Sequence, residues 1–170
     1  MAGRKRSKNI VSHFLRSLWK PNSLQHKKFH ETFETDPKKR KLFSDLKYQL
    51  HQAGIVEEVS RTKAGKKIFK EYKLTERGMM RAAKLCMEKS KLKKLARERR
   101  LIIFDIPEKQ RFYRDYFRKL MKDLDCQMIQ LSVWQADFEL PEDFLLLVGE
   151  LGLTSRVIVY KVKPEEILHL

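Results

Sequence analysis

Arg100-Leu-Ile-Ile-Phe-Asp-Ile-Pro-Glu-Lys-Gln-Arg111 decides how this chain is read. Four apolar residues in a row, two of them isoleucine, predict a strand covered on both faces. The strand ends on one acidic residue, Asp105, and the chain turns through Pro107 into a helix. Proline suits a first helical position because its missing N–H has no partner there anyway, and Glu108 sets a carboxylate at the positive helix end. Phe112, Tyr113, Tyr116, Phe117 and Leu120 then follow at mixed three-and-four spacing, enough for a wide apolar face. Further on, Gln127–Asp137 carries strand signals, Glu142–Leu153 reads as a short helix, and Arg156–Val162 supplies a last strand. Residues 100–163 therefore run strand–helix–strand–strand–helix–strand, the split βαβ order of ferredoxin-like domains.

Charge separates this module from what precedes it. The 170 residues carry a formal net charge of +16. Residues 1–100 hold 29 lysines and arginines against 10 acidic residues, whereas residues 101–170 hold 9 against 12. A basic module beside a slightly acidic one predicts a polyanionic partner for the first, because neutralising phosphates releases counterions.

Within the basic half, Ile10, Val11, Phe14, Leu15, Leu18 and Trp19 repeat at helical spacing, and Pro21-Asn22-Ser23 stops that helix. Arg4-Lys5-Arg6 and Lys8 ahead of it read as a disordered basic arm. A poorly patterned helical piece is expected over 23–33. Asp36 and Pro37 then occupy cap and first position of a helix whose apolar face is Leu42, Phe43, Leu46 and Leu50, ending at Gly54. A hairpin follows: strands over 55–59 and 68–74 flank a polar tip, Arg61–Lys67. Thr75-Glu76-Arg77-Gly78 opens a closing helix, which Leu85, Leu92 and Leu95 carry on to Arg100 as a basic linker. Helices, a two-stranded wing and a closing helix make a winged helix-turn-helix. The expected organisation is a winged-helix domain over 1–80, a linker helix over 81–99 and a ferredoxin-like α+β domain over 100–170.

A recognition helix laid in the major groove uses its exposed face on phosphates and base edges. Here that helix is about Pro37–Ala53, and Lys38, Lys39, Arg40, Lys41, Lys47 and Gln49 are its candidates. Lysines mostly hold backbone, while Arg40 and Gln49 have the better geometry for reading bases. Four basic residues at a helix start oppose the macrodipole, so the Lys38–Lys41 cluster costs stability and points to use. On the wing, Arg61, Lys63, Lys66 and Lys67 face an adjacent minor groove or phosphates.

The Phe104-Asp-Ile-Pro-Glu108 turn, the arginine-studded helix after it, Ser132-Val133-Trp134 and the Glu142–Leu153 helix together resemble one domain family. It is the central domain of the PaaX-type transcriptional repressors, shared with the small CRISPR-associated endonuclease and integration scaffold called Cas-two. Pro107-Glu108 and Trp134 look more like the repressor side. The resemblance implies a homodimeric, cytoplasmic repressor bound to double-stranded DNA. Such repressors answer to an acyl-CoA thioester; whether this chain takes an effector at all, and which, is left open. On the Cas-two side it implies a magnesium-dependent endonuclease or a non-catalytic integration scaffold, with Asp105 as the metal and catalytic residue.

The residues themselves argue against that chemistry. One carboxylate per chain is a poor site for Mg²⁺, which also needs substrate oxygens and further ligands. Asp137, at the end of the third strand, is the only second acidic residue in view, and Asp105 otherwise reads as the cap of the Pro107 turn. His26 and His30 stand four apart with Glu34 four beyond, the convergence a metal site requires, yet no further ligand follows and exposed polar residues are expected. No Gly-rich phosphate loop or nucleotide fingerprint occurs. Cys86 and Cys126 have no ligand or disulfide spacing and read as small buried hydrophobes in a reducing compartment. The apolar run Phe144–Val148 is far too short for a bilayer. No cofactor and no membrane partner are expected. Val133, Trp134 and Phe138 join the helix aromatics as candidates for core or for a dimer contact.

Overall fold

The computed structural model describes the backbone of residues 2–20, 37–63, 66–87 and 92–163, with side chains given for 10–20, 37, 39–59, 71–87 and 92–163. The chain splits into two compact units, Met1–Cys86 and Met87–Leu170.

The first unit begins with α1 (Ala2–Trp19) and continues with α2 (Pro37–Gln52), β1 (Val56–Lys63), β2 (Lys66–Leu74) and α3 (Glu76–Cys86). The basic arm expected ahead of α1 is instead its first two turns. Lysine and arginine are good helix formers, and a helix nucleated by its apolar face propagates cheaply. Phe14 of α1 meets Phe43 of α2 edge-on at 5.0 Å. Arg16 ties α1 to α3 by donating from Nη2 to the Leu85 carbonyl at 2.6 Å. Phe14, Leu15, Leu46, Leu50, Val56 and Met80 are buried around this contact.

α2 stops at Gly54 for a visible reason. Ile55 N donates to Leu50 O and Gly54 N to His51 O, both at 2.9 Å, while Gly54 sits at φ +64°. This double closure is a Schellman motif, and its left-handed residue favours glycine. β1 and β2 then pair antiparallel from Val56↔Leu74 to Lys63↔Lys66, with a bulge between Arg61 and Thr62. The strands thus run further out than expected, to Lys63 on one and from Lys66 on the other. The basic residues of that tip are themselves ladder residues, as an exposed two-stranded ribbon tolerates lysine.

α3 ends at Cys86, so the linker helix expected to reach Arg100 is not formed over the described residues. Leu95 N donates to Asp137 O at 2.7 Å and Glu139 N to Lys93 O at 2.9 Å. A narrow leucine stripe buries too little to hold a helix, whereas this extended pairing satisfies backbone groups against the second unit's own chain.

That second unit comprises β3 (Arg99–Phe104), a 3-10 turn (Glu108–Gln110), α4 (Arg111–Asp123), β4 (Gln127–Gln130), β5 (Val133–Ala136), α5 (Glu142–Glu150) and β6 (Val157–Val162). The sheet order is β4-β5-β3-β6 with every neighbouring pair antiparallel. First and second strands of the module are separated by the third, which is the ferredoxin-like arrangement expected. Ile102, Phe104, Trp134 and Ala136 face the helices and are buried. Phe117 of α4 joins the layers, 6.1 Å from Phe104 of β3 and 5.9 Å from Phe144 of α5. The segment carrying His26, His30 and Glu34 lies outside the described residues. No helix among the described residues is long and apolar enough to cross a membrane.

Candidate nucleic-acid interface

α2 is oriented by what it buries. Phe43, Leu46 and Leu50 point into the core, which leaves Lys39, Arg40, Lys41, Asp45, Tyr48 and Gln49 exposed. Leu42, expected on the apolar face, is about half exposed. Lys47 does not join the outer face. Its Nζ lies 4.6 Å from the Phe43 ring centroid and 5.2 Å from that of Tyr72 on β2, so cation–π attraction turns it sideways toward the hairpin. Arg40 and Gln49 are nine residues apart, and at about 100° per residue they fall on opposite flanks of the helix. Both remain exposed, but they do not form one reading edge.

The side chains of Lys38, Arg61, Lys63, Lys66 and Lys67 lie outside the described residues. Their backbone positions are fixed for the hairpin four: Arg61 pairs with Phe69, Thr62 with Lys67, and Lys63 with Lys66. Three lysines and an arginine therefore occupy the last rungs of one ribbon. Tyr48 is the residue that counting charges passed over. Its signal was the helical phase of Phe43, Leu46 and Leu50, which already puts Tyr48 outermost.

In the second unit, Asp105 follows β3 with its side chain 93% exposed, and among the described residues it pairs with Arg156 Nη1 at 3.8 Å. It does not cap the following turn: Pro107 holds that position and no side-chain cap bond is made. Glu108 instead pairs with Arg114, and that hydrogen bond and charge hold its carboxyl below the usual range. Asp137 is excluded as a second ligand. The register Arg100↔Ala136 and Ile103↔Val133 puts Asp137 at the other end of β3, about 20 Å away along the strand, where it pairs with Lys94 at 3.3 Å. Among the described residues no three His, Cys, Asp or Glu side chains converge as a metal site.

The sheet's second face carries a different feature. Leu101 pairs with Tyr160, and Ile103 with Ile158 and Val133, all on the side away from α4 and α5. Ile158 and Tyr160 are 47% and 49% exposed. Trp134 and Phe138, by contrast, are core, and Phe112 is exposed on α4.

Residues 93–168 match the family described as PaaX protein central Cas2-like domain. No curated protein and no solved structure matches the chain. The match begins at the extended 93–95 segment paired with residues 137–139 and takes in all six elements of the βαββαβ module. Over residues 93–168, within its second unit, the chain is therefore similar to the Cas2-like central domain of PaaX proteins.

Proposed function

We propose that the chain is a sequence-specific regulator of transcription, a repressor that binds double-stranded DNA as a homodimer through its first unit. The observation that carries this reading is the concentration of charge: the first unit, residues 1–86, holds 22 basic residues against 8 acidic ones, beside a domain similar to that of PaaX proteins. Helix, helix, hairpin and helix follow one another in the order of a winged helix, with α2 as the recognition helix and the basic ribbon as the wing. A cation-rich helix start and a lysine-tipped ribbon match a polyphosphate backbone chemically. The apolar outer face of the second unit's sheet supports self-association. A second copy stacked there buries Ile158 and Tyr160, and pairing two half-sites multiplies affinity.

The test is selection of bound duplexes from a random pool at near-physiological salt with Mg²⁺ present, followed by inspection of the recovered DNA for cuts. An enriched palindrome in intact DNA is expected. Recovery without sequence preference replaces the regulator with a DNA-holding scaffold, and cleavage that Asp105→Asn abolishes replaces it with a nuclease.

A further inference from the structure

The rotation of α2 about its own axis decides which side chains a duplex meets, and the inference drawn from it rests on the regulator reading above. With Phe43, Leu46 and Leu50 buried, the opposite direction falls on Lys41 and Tyr48, with Ser44 and Asp45 between them. Tyr48 is 66% exposed and contributes nothing to the core. A lone exposed aromatic is ordinary on a protein surface. Its position is what matters: mid-helix, on the outermost line of a helix whose unit is strongly basic.

We propose that Tyr48 determines DNA specificity by packing its ring against the 5-methyl group of a thymine in the major groove. The thymine methyl is the apolar feature of that groove, and apolar side-chain surface is what contacts it. Lys41 lies seven residues earlier, two turns and about 10 Å along the same line of the helix. Asp45 between them suits the groove floor, where a cytosine amino group donates to a carboxylate, better than the rim, where phosphates repel it. Arg40 and Gln49, on opposite flanks, reach toward the two phosphate rims instead.

The experiment compares the full chain with Tyr48→Ala and Tyr48→Phe in duplex selection, then measures affinity for the wild-type site with the indicated thymine replaced by deoxyuridine. Wild type is expected to require that thymine, Tyr48→Ala to lose the requirement at that position alone, and Tyr48→Phe to keep it. Removing the methyl is expected to weaken wild type about fourfold and to leave Tyr48→Ala unchanged. A Tyr48→Ala profile identical to wild type overturns the inference and leaves the regulator standing, as does loss of the thymine in Tyr48→Phe. A wild-type pool with no motif removes both. Unfolding midpoints of the variants, expected to equal wild type for a residue so exposed, separate lost contacts from lost folding.

Discussion

A β-carbon at Gly78 would stand 2.0 Å from the carbonyl oxygen of Ile55. The first turn of α3 thus rests directly on the backbone where α2 hands over to the hairpin. Thr75 closes the same joint: its hydroxyl donates to Gly54 O at 2.7 Å and accepts from Gly78 N at 3.1 Å. The obstructing atom is backbone and has nowhere to go, so Gly78→Ala is expected to destabilise the first unit by about 3 kcal/mol. Thr75→Ala removes only the cap and costs about 1 kcal/mol. Urea unfolding of the two variants checks the order, and a Gly78→Ala loss below that of Thr75→Ala would contradict the close approach.

Asp125 is the opposite case, a residue whose replacement by glycine should help. It ends α4 at φ 61°, where Cys126 N donates to Met121 O and Asp125 N to Lys122 O. This is the closure that Gly54 makes at the end of α2, here held by a residue with a β-carbon. Asp125→Gly is expected to raise the stability of the second unit by about 0.5–1 kcal/mol and Asp125→Ala to lower it. Equal midpoints for the two variants would refute the argument.

Burial pushes the Cys126 thiol up to about 12, with Asp125 and Asp137 adding to the effect. The folded state therefore favours the neutral thiol. That contribution is complete below the ordinary value of 9.0 and is lost progressively as pH rises from there toward about 12, because the unfolded chain ionises first. Stability should fall on the alkaline side, with a shallower slope in Cys126→Ala. Tyr116, also pushed up by burial, leaves part of the slope in place. At pH 8.5 a thiolate-directed reagent should modify partly exposed Cys86 in the native protein and reach Cys126 only on unfolding; mass spectrometry of the labelled peptides decides this.

Much of this was legible in the residues and some was not, for physical reasons. Runs such as Leu101–Phe104 and the 43, 46, 50 spacing report burial directly, so the βαββαβ order and the face of α2 could be read from them. The path of residues 93–95 could not, since a leucine every few positions serves a helix or an edge segment equally well and long-range pairing to 137–139 chose between them. Asp137 looked like a partner for Asp105 only until the register separated them. Lys47 counted as a groove-facing charge because sequence does not reveal that Tyr72, 25 positions later, comes alongside it.

Asp105→Asn should be nearly silent. Among the described residues its charged partner is Arg156 at 3.8 Å in an exposed pair, and such pairs contribute about 0–1 kcal/mol. Incubation of wild type with duplex DNA and Mg²⁺ is expected to leave the DNA intact, and the variant should bind with unchanged affinity. Magnesium-dependent nicking by wild type that vanishes in the variant would instead make Asp105 a metal ligand, with its remaining ligands drawn from DNA or a second copy.

The proposed self-association makes different demands on the two faces of the second unit. Ile158 and Tyr160 stand on the sheet side with Leu101 and Ile103 as cross-strand neighbours, while exposed Leu145 stands on α5, on the helix side. If the sheet faces of two copies meet, a carboxylate at Ile158 is buried without a partner, and that desolvation outweighs the small cost of the change in the monomer. Ile158→Asp is therefore expected to weaken self-association more than tenfold by sedimentation and to reduce affinity for a two-half-site duplex, while binding to a single half-site stays as in wild type. Leu145→Asp should leave the association constant unchanged. The reverse pattern, with Leu145→Asp dissociating the protein and Ile158→Asp not, would move the dimer contact to the helices and leave the apolar sheet face to some other partner.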